Sequence, residues 1–353
     1  MNMSRNPRWI VVTHSAAPGG AELGLVRYAE HSRRVDRVIS FADGWLTRIL
    51  SERGTPVLVD KSPGRRLRRL LREDSSLVVM SNTLRAALVV AIARVPRRRH
   101  VIYVQDAVRG GYFSLPKRLL IELVILRSAA VLLANSEFTV GSLPRSLRRR
   151  AVVVGTPSGI LTPDIRVRND ALNRPVKVLS LSRLTPWKGI HVLLDALAIL
   201  SERLPADMGL EITIAGAAHF GEEEYEASLK ERARNMRFPV AFVGHVDNVD
   251  DLLADTDILV HTSTTPEPFG QVIIQGLASG AHTIVADAGG AAEIVLATKR
   301  GMRTTPGDAQ ELAAAIERIV RDGRSASGPD LPVRYTDPAV AGAIDGQLQR
   351  WSC

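Results

Sequence analysis

The 353-residue sequence predicts an α/β protein built from two Rossmann-like, doubly wound domains that face a central cleft. Three observations predict this. Short β-branched runs bounded by Gly, Pro or Asp alternate with helical periodicity, this alternation runs through twice, and a polar, Pro-containing stretch from Thr162 to Pro175 separates the two passes. In the first pass Trp9–Thr13, Arg37–Phe41, Leu77–Met80, His100–Val104, Ala130–Ala134 and Ala151–Val154 read as strands. In the second they are Val176–Leu181, Glu211–Ala215, Val240–Val243, Ile258–Val260 and His282–Val285. A single parallel sheet of this length would usually divide, so the polar stretch marks a boundary. The expected domains are residues 1–172 and 173–335, with a weakly amphipathic helix in 336–353 packing back on the first. In such sheets ligands bind beyond the carboxyl ends of the strands, which gives the loops after strands more weight than helix faces.

Composition agrees and excludes several classes. With 45% apolar residues and 24% charged ones the chain can fill two cores. Met1 to Asn6 leads straight into the first strand without a basic region, apolar run and cleavage site, which predicts a cytoplasmic protein. The longest apolar run, Leu119 to Ala134, is shorter than a membrane span and carries Glu122 and Arg127, so it reads as buried helix followed by strand. The single cysteine, Cys353, excludes an intramolecular disulfide and a cysteine-cluster metal site.

The formal net charge of +9 hides an asymmetry. Residues 1–172 hold 29 Lys and Arg against 13 Asp and Glu, whereas residues 173–353 hold 17 against 24. Arg65-Arg66-Leu-Arg68-Arg69, Arg97-Arg98-Arg99 and Arg148-Arg149-Arg150 can attract an anionic acceptor or give peripheral contact with an anionic membrane. They are equally what a coding bias toward arginine puts on solvated faces, since 6 of the 46 cations are lysines. The clusters lack interleaved aromatics and no nucleic-acid signature occurs, so nucleic acid is not expected as a partner.

Three strand-to-helix turns carry chemistry. Ser182-Arg183-Leu184-Thr185-Pro186-Trp187-Lys188-Gly189 leads from a strand into the helix beginning at Ile190. Such a turn presents free backbone N–H groups and the positive end of a helix, and Arg183 and Lys188 add two cations, a combination suited to a diphosphate. The second turn is Pro266-Glu267-Pro268-Phe269-Gly270-Gln271, continuing to Gln275 and Gly276. There Glu267 can accept hydrogen bonds from sugar hydroxyls while the backbone amides of Phe269, Gly270 and Gln271 donate at a helix start. Gln271 and Gln275 share one helix face. The third turn, Pro18-Gly19-Gly20-Ala21-Glu22, allows close backbone approach but lacks the G-x-G-x-x-G spacing of a nicotinamide site. His14 and Gln105-Asp106 stand just past first-domain strands and are candidates for the acceptor side. The eight histidines include no pair at helical ligand spacing, so no metal is expected, and neither a G-x-S-x-G elbow nor a Walker-type loop occurs.

In this order the segments resemble family 4 of the retaining glycosyltransferases, which have the GT-B fold; the likeness runs from about Val11 to Ile319. It rests on Gly19-Gly20-Ala21-Glu22, the Ser182 to Gly189 loop, Phe242-Val243-Gly244, Glu267-Pro268-Phe269-Gly270 and Ala288-Gly289-Gly290 with Glu293. The resemblance implies a metal-independent, hexosyltransferase-type enzyme without a cofactor, using a nucleotide-diphosphate sugar as donor and a hydroxyl of a saccharide, lipid-linked or natural-product acceptor. It assigns catalysis to Arg183, Lys188 and Glu267, and donor binding to these with Gly19, Gly20, Gly244, Phe269, Gly270, Gln271 and Gln275. The acceptor attacks the face the nucleotide leaves and its proton passes to a phosphate oxygen. Two departures stand out: Gln275 replaces a second glutamate that binds ribose, and Tyr103-Val104-Gln105-Asp106 occupies the place of a histidine near the reacting sugar. They keep open a catalytically silent nucleotide-sugar binding protein, and the architecture also admits a nucleotide-sugar epimerase.

Overall fold

The structure, a computed structural model, describes residues 6–166, 174–218, 221–322 and 330–351. The boundary expected at 172/173, His219 and Cys353 lie outside the described residues. Two compact units are present, one formed by residues 1–161 with 333–353 and the other by 162–332.

The first unit is a seven-stranded parallel sheet. Its strands are β1 (Arg8–Thr13), β2 (Val35–Ser40), β3 (Val57–Val59), β4 (Leu77–Ser81), β5 (His100–Val104), β6 (Val131–Ala134) and β7 (Ala151–Val153), in the order β3-β2-β1-β4-β5-β6-β7. Central β1 shows why its sequence is an unbroken apolar run. Trp9 and Val11 point into a core with Leu25, Tyr28, Val340 and Ile344, while Ile10 and Val12 point the other way, against Leu67, Leu71, Ala86 and Val90. Both faces are covered by helices, so neither alternating set is polar. Edge strand β3 was not expected from the sequence: three residues between Pro56 and Asp60 are too few to establish a period.

The second unit is a six-stranded parallel sheet of β8 (Val176–Leu181), β9 (Leu210–Ala215), β10 (Val240–Gly244), β11 (Ile258–His261), β12 (His282–Ala286) and β13 (Met302–Thr304). Their order is β10-β9-β8-β11-β12-β13. β13 is again a three-residue edge strand that the sequence pattern did not reveal. Helix Ile190–Arg203 buries Ile190, Leu193, Leu194, Leu197 and Leu200 against the sheet, a spacing of three and four residues that keeps one stripe inward.

The run from Leu119 departs from expectation. It is helical, as Leu115–Leu120, a π-helical turn Ile121–Ile125 and a 3-10 turn Leu126–Ser128, followed by β6. Yet it is not a buried helix. Ile121, Ile125 and Leu126 pack into the sheet, whereas Leu119, Leu120, Leu123 and Val124 are 41–55% exposed. A helix resting on one face of a sheet buries one stripe, and this run is apolar around more of its circumference than that stripe can hide. No helix among the described residues is long and apolar enough to cross a membrane.

The C-terminal helix Asp337–Gly346 belongs to the first unit and is held by a polar lock. Trp9 Nε1 donates to Asp345 at 3.2 Å, Tyr28 OH at 2.6 Å and Ser32 Oγ at 2.8–2.9 Å. Trp9 and Tyr28 are buried, so their polar ends depend on this carboxylate. Asp345→Ala removes the carboxylate that Trp9, Tyr28 and Ser32 share and is expected to cost about 2–3 kcal/mol. That corresponds to a fall of about 5–10 °C in the melting temperature of the first unit, and an unchanged melt would remove the lock from the account.

Candidate functional site

In the second unit the strand order reverses at β8. Successive strands run outward from it on one side as β9 and β10, and on the other as β11, β12 and β13. At such a reversal the loops leaving two adjacent strands diverge and open a crevice at their carboxyl ends. The loop after β8 holds Arg183 and Lys188, and the loop after β11 holds Glu267, so the sheet's topology brings together what 79 residues of sequence separate.

The two loops are stitched by backbone contacts. The Thr264 N–H donates to the Trp187 carbonyl at 2.8 Å, and Thr262 Oγ1 donates to the Lys188 carbonyl at 3.0 Å. Gly189 turns the chain at φ +70°, and a Cβ there would lie 2.1 Å from the Thr262 carbonyl oxygen. A glycine is required on both counts, its left-handed backbone and its close approach. Lys188 sits with its Nζ 4.2 Å from the Trp187 ring centroid and ion-pairs Glu267 through Oε2. Arg183 is exposed and makes no ion pair among the described residues.

Glu267 is the electrostatic centre. Burial by itself would raise its pKa, but Lys188 and His261 beside it hold the carboxyl well below the usual carboxylate range, so it is ionised at neutral pH. His261, the last residue of β11, places Nε2 3.3 Å from Glu267 Oε2 and is 4% exposed. The sequence reading passed over it as one of eight scattered histidines. The signal was its position, since a polar residue ending a buried central strand sits where ligand loops begin. The arrangement is a buried carboxylate braced from two sides by nitrogen donors, with its backbone at the mouth of a helix.

Around it the remaining second-unit segments close up. Phe269 is buried, and Gly270, at φ +105°, is the N-cap of helix Gln271–Ala278. Gln271 opens that helix and Gln275 lies one turn on, 9% exposed. The Ala288-Gly289-Gly290 segment packs on Glu267: the Gly290 N–H donates to the Glu267 carbonyl at 2.7 Å, and Gly289 forms a parallel bridge with it. Gly244 ends β10 at φ +69°, and its carbonyl accepts from the Gly216 N–H at 2.7 Å. Donor-side candidates Arg183, Lys188, Gly244, Glu267, Phe269, Gly270, Gln271 and Gln275 thus all lie at or just beyond the carboxyl ends of the second sheet.

The first-unit candidates gather at the equivalent reversal, between β1 and β4. His14 follows β1 and its Nδ1 lies 2.9 Å from Thr83 Oγ1; burial, then the charge of Arg85, lowers its pKa. Gln105 Nε2 donates to the Asn82 carbonyl and to its Oδ1, both at 3.0 Å, and the Gln105 carbonyl accepts from Asn135 Nδ2 at 3.0 Å. Gly19 is the N-cap of helix Gly20–His31, and a side chain there would meet the Glu22 carboxylate at 2.8 Å. Burial pushes the Glu22 carboxyl up, its own backbone N–H pulls it down, and Asp106 adds to the rise. Asp106 itself is exposed, and Tyr103 is buried with its hydroxyl turned to the Gly155 carbonyl and Thr156. Among the described residues no three His, Cys, Asp or Glu are grouped as metal ligands.

Two parallel doubly wound units with this loop arrangement define the GT-B fold, and solved structures agree. Anabaena HepE in complex with UDP-glucose superposes with a TM-score of 0.76 at 28% identity, covering 97% of this chain and 98% of that one. Trehalose-6-phosphate synthase OtsA, at 14% identity, shares the fold with a TM-score of 0.69. Residues 162–330 match the family model of the glycosyl transferases group 1. Among curated proteins it is similar to mannosylfructose-phosphate synthase of Agrobacterium fabrum, 28% identical over 229 residues, 60% of this chain and 50% of the relative. It is also similar to phosphatidyl-myo-inositol mannosyltransferase of Mycolicibacterium smegmatis, 30% identical over 145 residues, 40% of this chain and 35% of the relative. The chain thus spans about half the length, or less, of these two curated relatives.

Proposed function

We propose that the protein is a retaining glycosyltransferase of family 4 that moves a hexose from a uridine-diphosphate sugar to a hydroxyl acceptor. The observation that carries this reading is the braced carboxylate: Glu267 ionised between Lys188 and His261, at the start of helix Gln271–Ala278 and one strand away from the loop of Arg183. Ionised and oriented, Glu267 accepts from donor-sugar hydroxyls, while Lys188 and Arg183 neutralise the diphosphate as the glycosidic bond breaks. Charge on the leaving nucleotide then meets preorganised cations, which is the larger part of what such a site contributes. The acceptor oxygen forms its bond to the anomeric carbon on the face the nucleotide leaves, and its proton goes to a phosphate oxygen. No enzyme carboxylate has to act as nucleophile, and Arg183 and Lys188 supply the charge that a divalent cation supplies elsewhere, so activity should survive chelation.

HepE, 28% identical over nearly the whole chain, has been crystallised with UDP and with UDP-glucose, which supports the choice of uridine. His14, Gln105 and Asp106 are proposed to serve the acceptor side, and Gly19 and Gly20 the donor, with the Gly-Gly turn allowing close approach to the transferred sugar. Gln275 keeps one acceptor for the ribose but without charge, a weakening of about 1 kcal/mol relative to a carboxylate. A cytoplasmic site of action fits a donor of this class.

The test is a panel of UDP-, GDP-, dTDP- and ADP-sugars in which nucleotide release and the rise in melting temperature are read together. A donor that binds should stabilise by about 2.7 kcal/mol at a hundredfold excess over its dissociation constant. A UDP-sugar that both stabilises and is turned over is the expected result. Arg183→Ala, an exposed position, should leave the unliganded melt unchanged and lower turnover about 100-fold. Stabilisation without turnover under every acceptor tried would favour a silent binding protein, isomerised donor an epimerase, and no response to any nucleotide would remove the proposal.

A further inference from the structure

The two oxygens of the Glu267 carboxylate are used differently. Both nitrogen donors beside it take the same one: Lys188 Nζ ion-pairs Oε2, and His261 Nε2 lies 3.3 Å from Oε2. Oε1 has no hydrogen-bond partner among the described residues, and the side chain keeps 14% of its surface exposed. The group is thus held by one oxygen and open at the other.

The backbone of Glu267 is pinned, which leaves the side chain as the part that needs holding. The Gly290 N–H donates to the Glu267 carbonyl at 2.7 Å, and Gly289 packs so close that a Cβ there would lie 2.9 Å from the Glu267 nitrogen and 2.3 Å from its carbonyl oxygen. Of the two braces, Lys188 is also assigned to the diphosphate, so its charge is shared once donor is bound. His261 has no such second duty. It ends β11 in register with Val285 of β12, is buried, and has Ser263 Oγ at 3.4 Å as its other polar neighbour among the described residues. Its Nδ1 is buried without a partner. That asymmetry fixes the tautomer, because the nitrogen facing a carboxylate oxygen carries the hydrogen, and a hydrogen on the buried Nδ1 would be an unsatisfied donor. The next residue, Thr262, donates from Oγ1 to the Lys188 carbonyl at 3.0 Å. Two consecutive residues at the end of one central strand therefore hold both partners of the ion pair.

We propose that His261 is a positioning residue for sugar selection: by donating from Nε2 to Oε2 it turns the Glu267 carboxylate so that Oε1 alone meets the hydroxyls of the donor sugar. The inference rests on the reading of this site as a donor-sugar site. A carboxylate that offers one fixed oxygen accepts from one direction and so distinguishes hydroxyls by configuration, whereas one free to rotate accepts from either epimer.

The experiment measures, by calorimetry on the full chain, binding of UDP and GDP, free and as their glucose, galactose and mannose derivatives. The native protein is expected to favour one sugar over its epimers. His261→Phe should leave affinity for the free nucleotide within about twofold, weaken the preferred sugar nucleotide about tenfold and narrow its preference over the epimers about fivefold. His261→Gln, whose amide N–H reaches the place of Nε2, should restore most of the loss, and His261→Asn, whose amide reaches only the place of Nδ1, should not. In a Glu267→Ala background His261→Phe should have no further effect on sugar preference, because no carboxylate is left to orient. Thermal melts show which variants fold, and the contrast between Gln and Asn carries the test if Phe is not accommodated. A native chain that binds no sugar nucleotide would overturn the donor-site reading and this inference with it. A native chain that binds and selects, beside a folded His261→Phe or His261→Asn with the same preference, would overturn the inference alone. So would a native chain that binds all the sugars equally, or an effect of His261→Phe that persists in full without the Glu267 carboxylate.

Discussion

Lys188→Met is expected to lower turnover about 100- to 1000-fold and to destabilise the second unit at the same time. The two effects have separate origins. Under the proposed function, turnover falls because one of the two cations assigned to the departing diphosphate is lost. Stability falls because Glu267, whose side chain is 14% exposed, keeps its negative charge in a buried place with His261 as its remaining neighbour of opposite tendency. Breaking such a pair from one side typically costs about 3–5 kcal/mol. A double change, Lys188→Met with Glu267→Gln, removes the stranded charge and should recover most of the stability while recovering none of the turnover. Thermal melts and steady-state rates on the three variants check both halves. Unchanged turnover in Lys188→Met would detach the cation from the chemistry, and an unchanged melt would show that the pair does not brace the carboxylate.

The second large effect is expected at a residue with no side chain. Gly189→Ala should destabilise the second unit by more than about 3 kcal/mol and abolish the melting response to donor. An alanine at φ +70° carries a strain of about 1–2 kcal/mol, and its Cβ would also lie 2.1 Å from the Thr262 carbonyl oxygen. That oxygen is backbone, so relief requires the loop after β8 to part from the loop after β11. Gly307→Ala provides the control. Gly307 has φ +82° with nothing within 4 Å of a Cβ, so its substitution meets the strain without the clash. Urea unfolding of both variants isolates the contact between the loops as the difference between them. Equal losses would show that the close approach carries no weight.

Both predictions concern the same junction, and the sequence had marked each side of it without showing that they meet. Arg183, Lys188, Glu267 and Gly270 were recognisable because strand-to-helix turns are local: a β-branched run, a turn residue and a helical period all lie within about fifteen residues. The buried strands β1 and β11 were legible for the same reason, with both faces covered and therefore a nearly continuous apolar run. Edge strands β3 and β13 were not, because a three-residue strand at the rim of a sheet has neither the length for a period nor the burial that would impose one. His261 escaped because its place at the end of β11 marks where a ligand loop begins without showing which residue it will face. Its role depends on Glu267, six residues on, folding back to within 3.3 Å.

The sequence by itself determined two doubly wound units, the carboxyl ends of whose strands hold the chemistry, and the residue types that could grip a diphosphate and a sugar. These follow from periodicity and turn chemistry, which are properties of neighbours along the chain. Only the tertiary structure decided which strands stand side by side, and with that the reversal at β8 that sets Lys188 against Glu267. It also decided that the apolar run after Leu115 turns a stripe outward, and which arginines are left without a carboxylate. Pairing across 79 residues, burial and the neutralisation of charge are properties of a folded surface, and no local pattern encodes them.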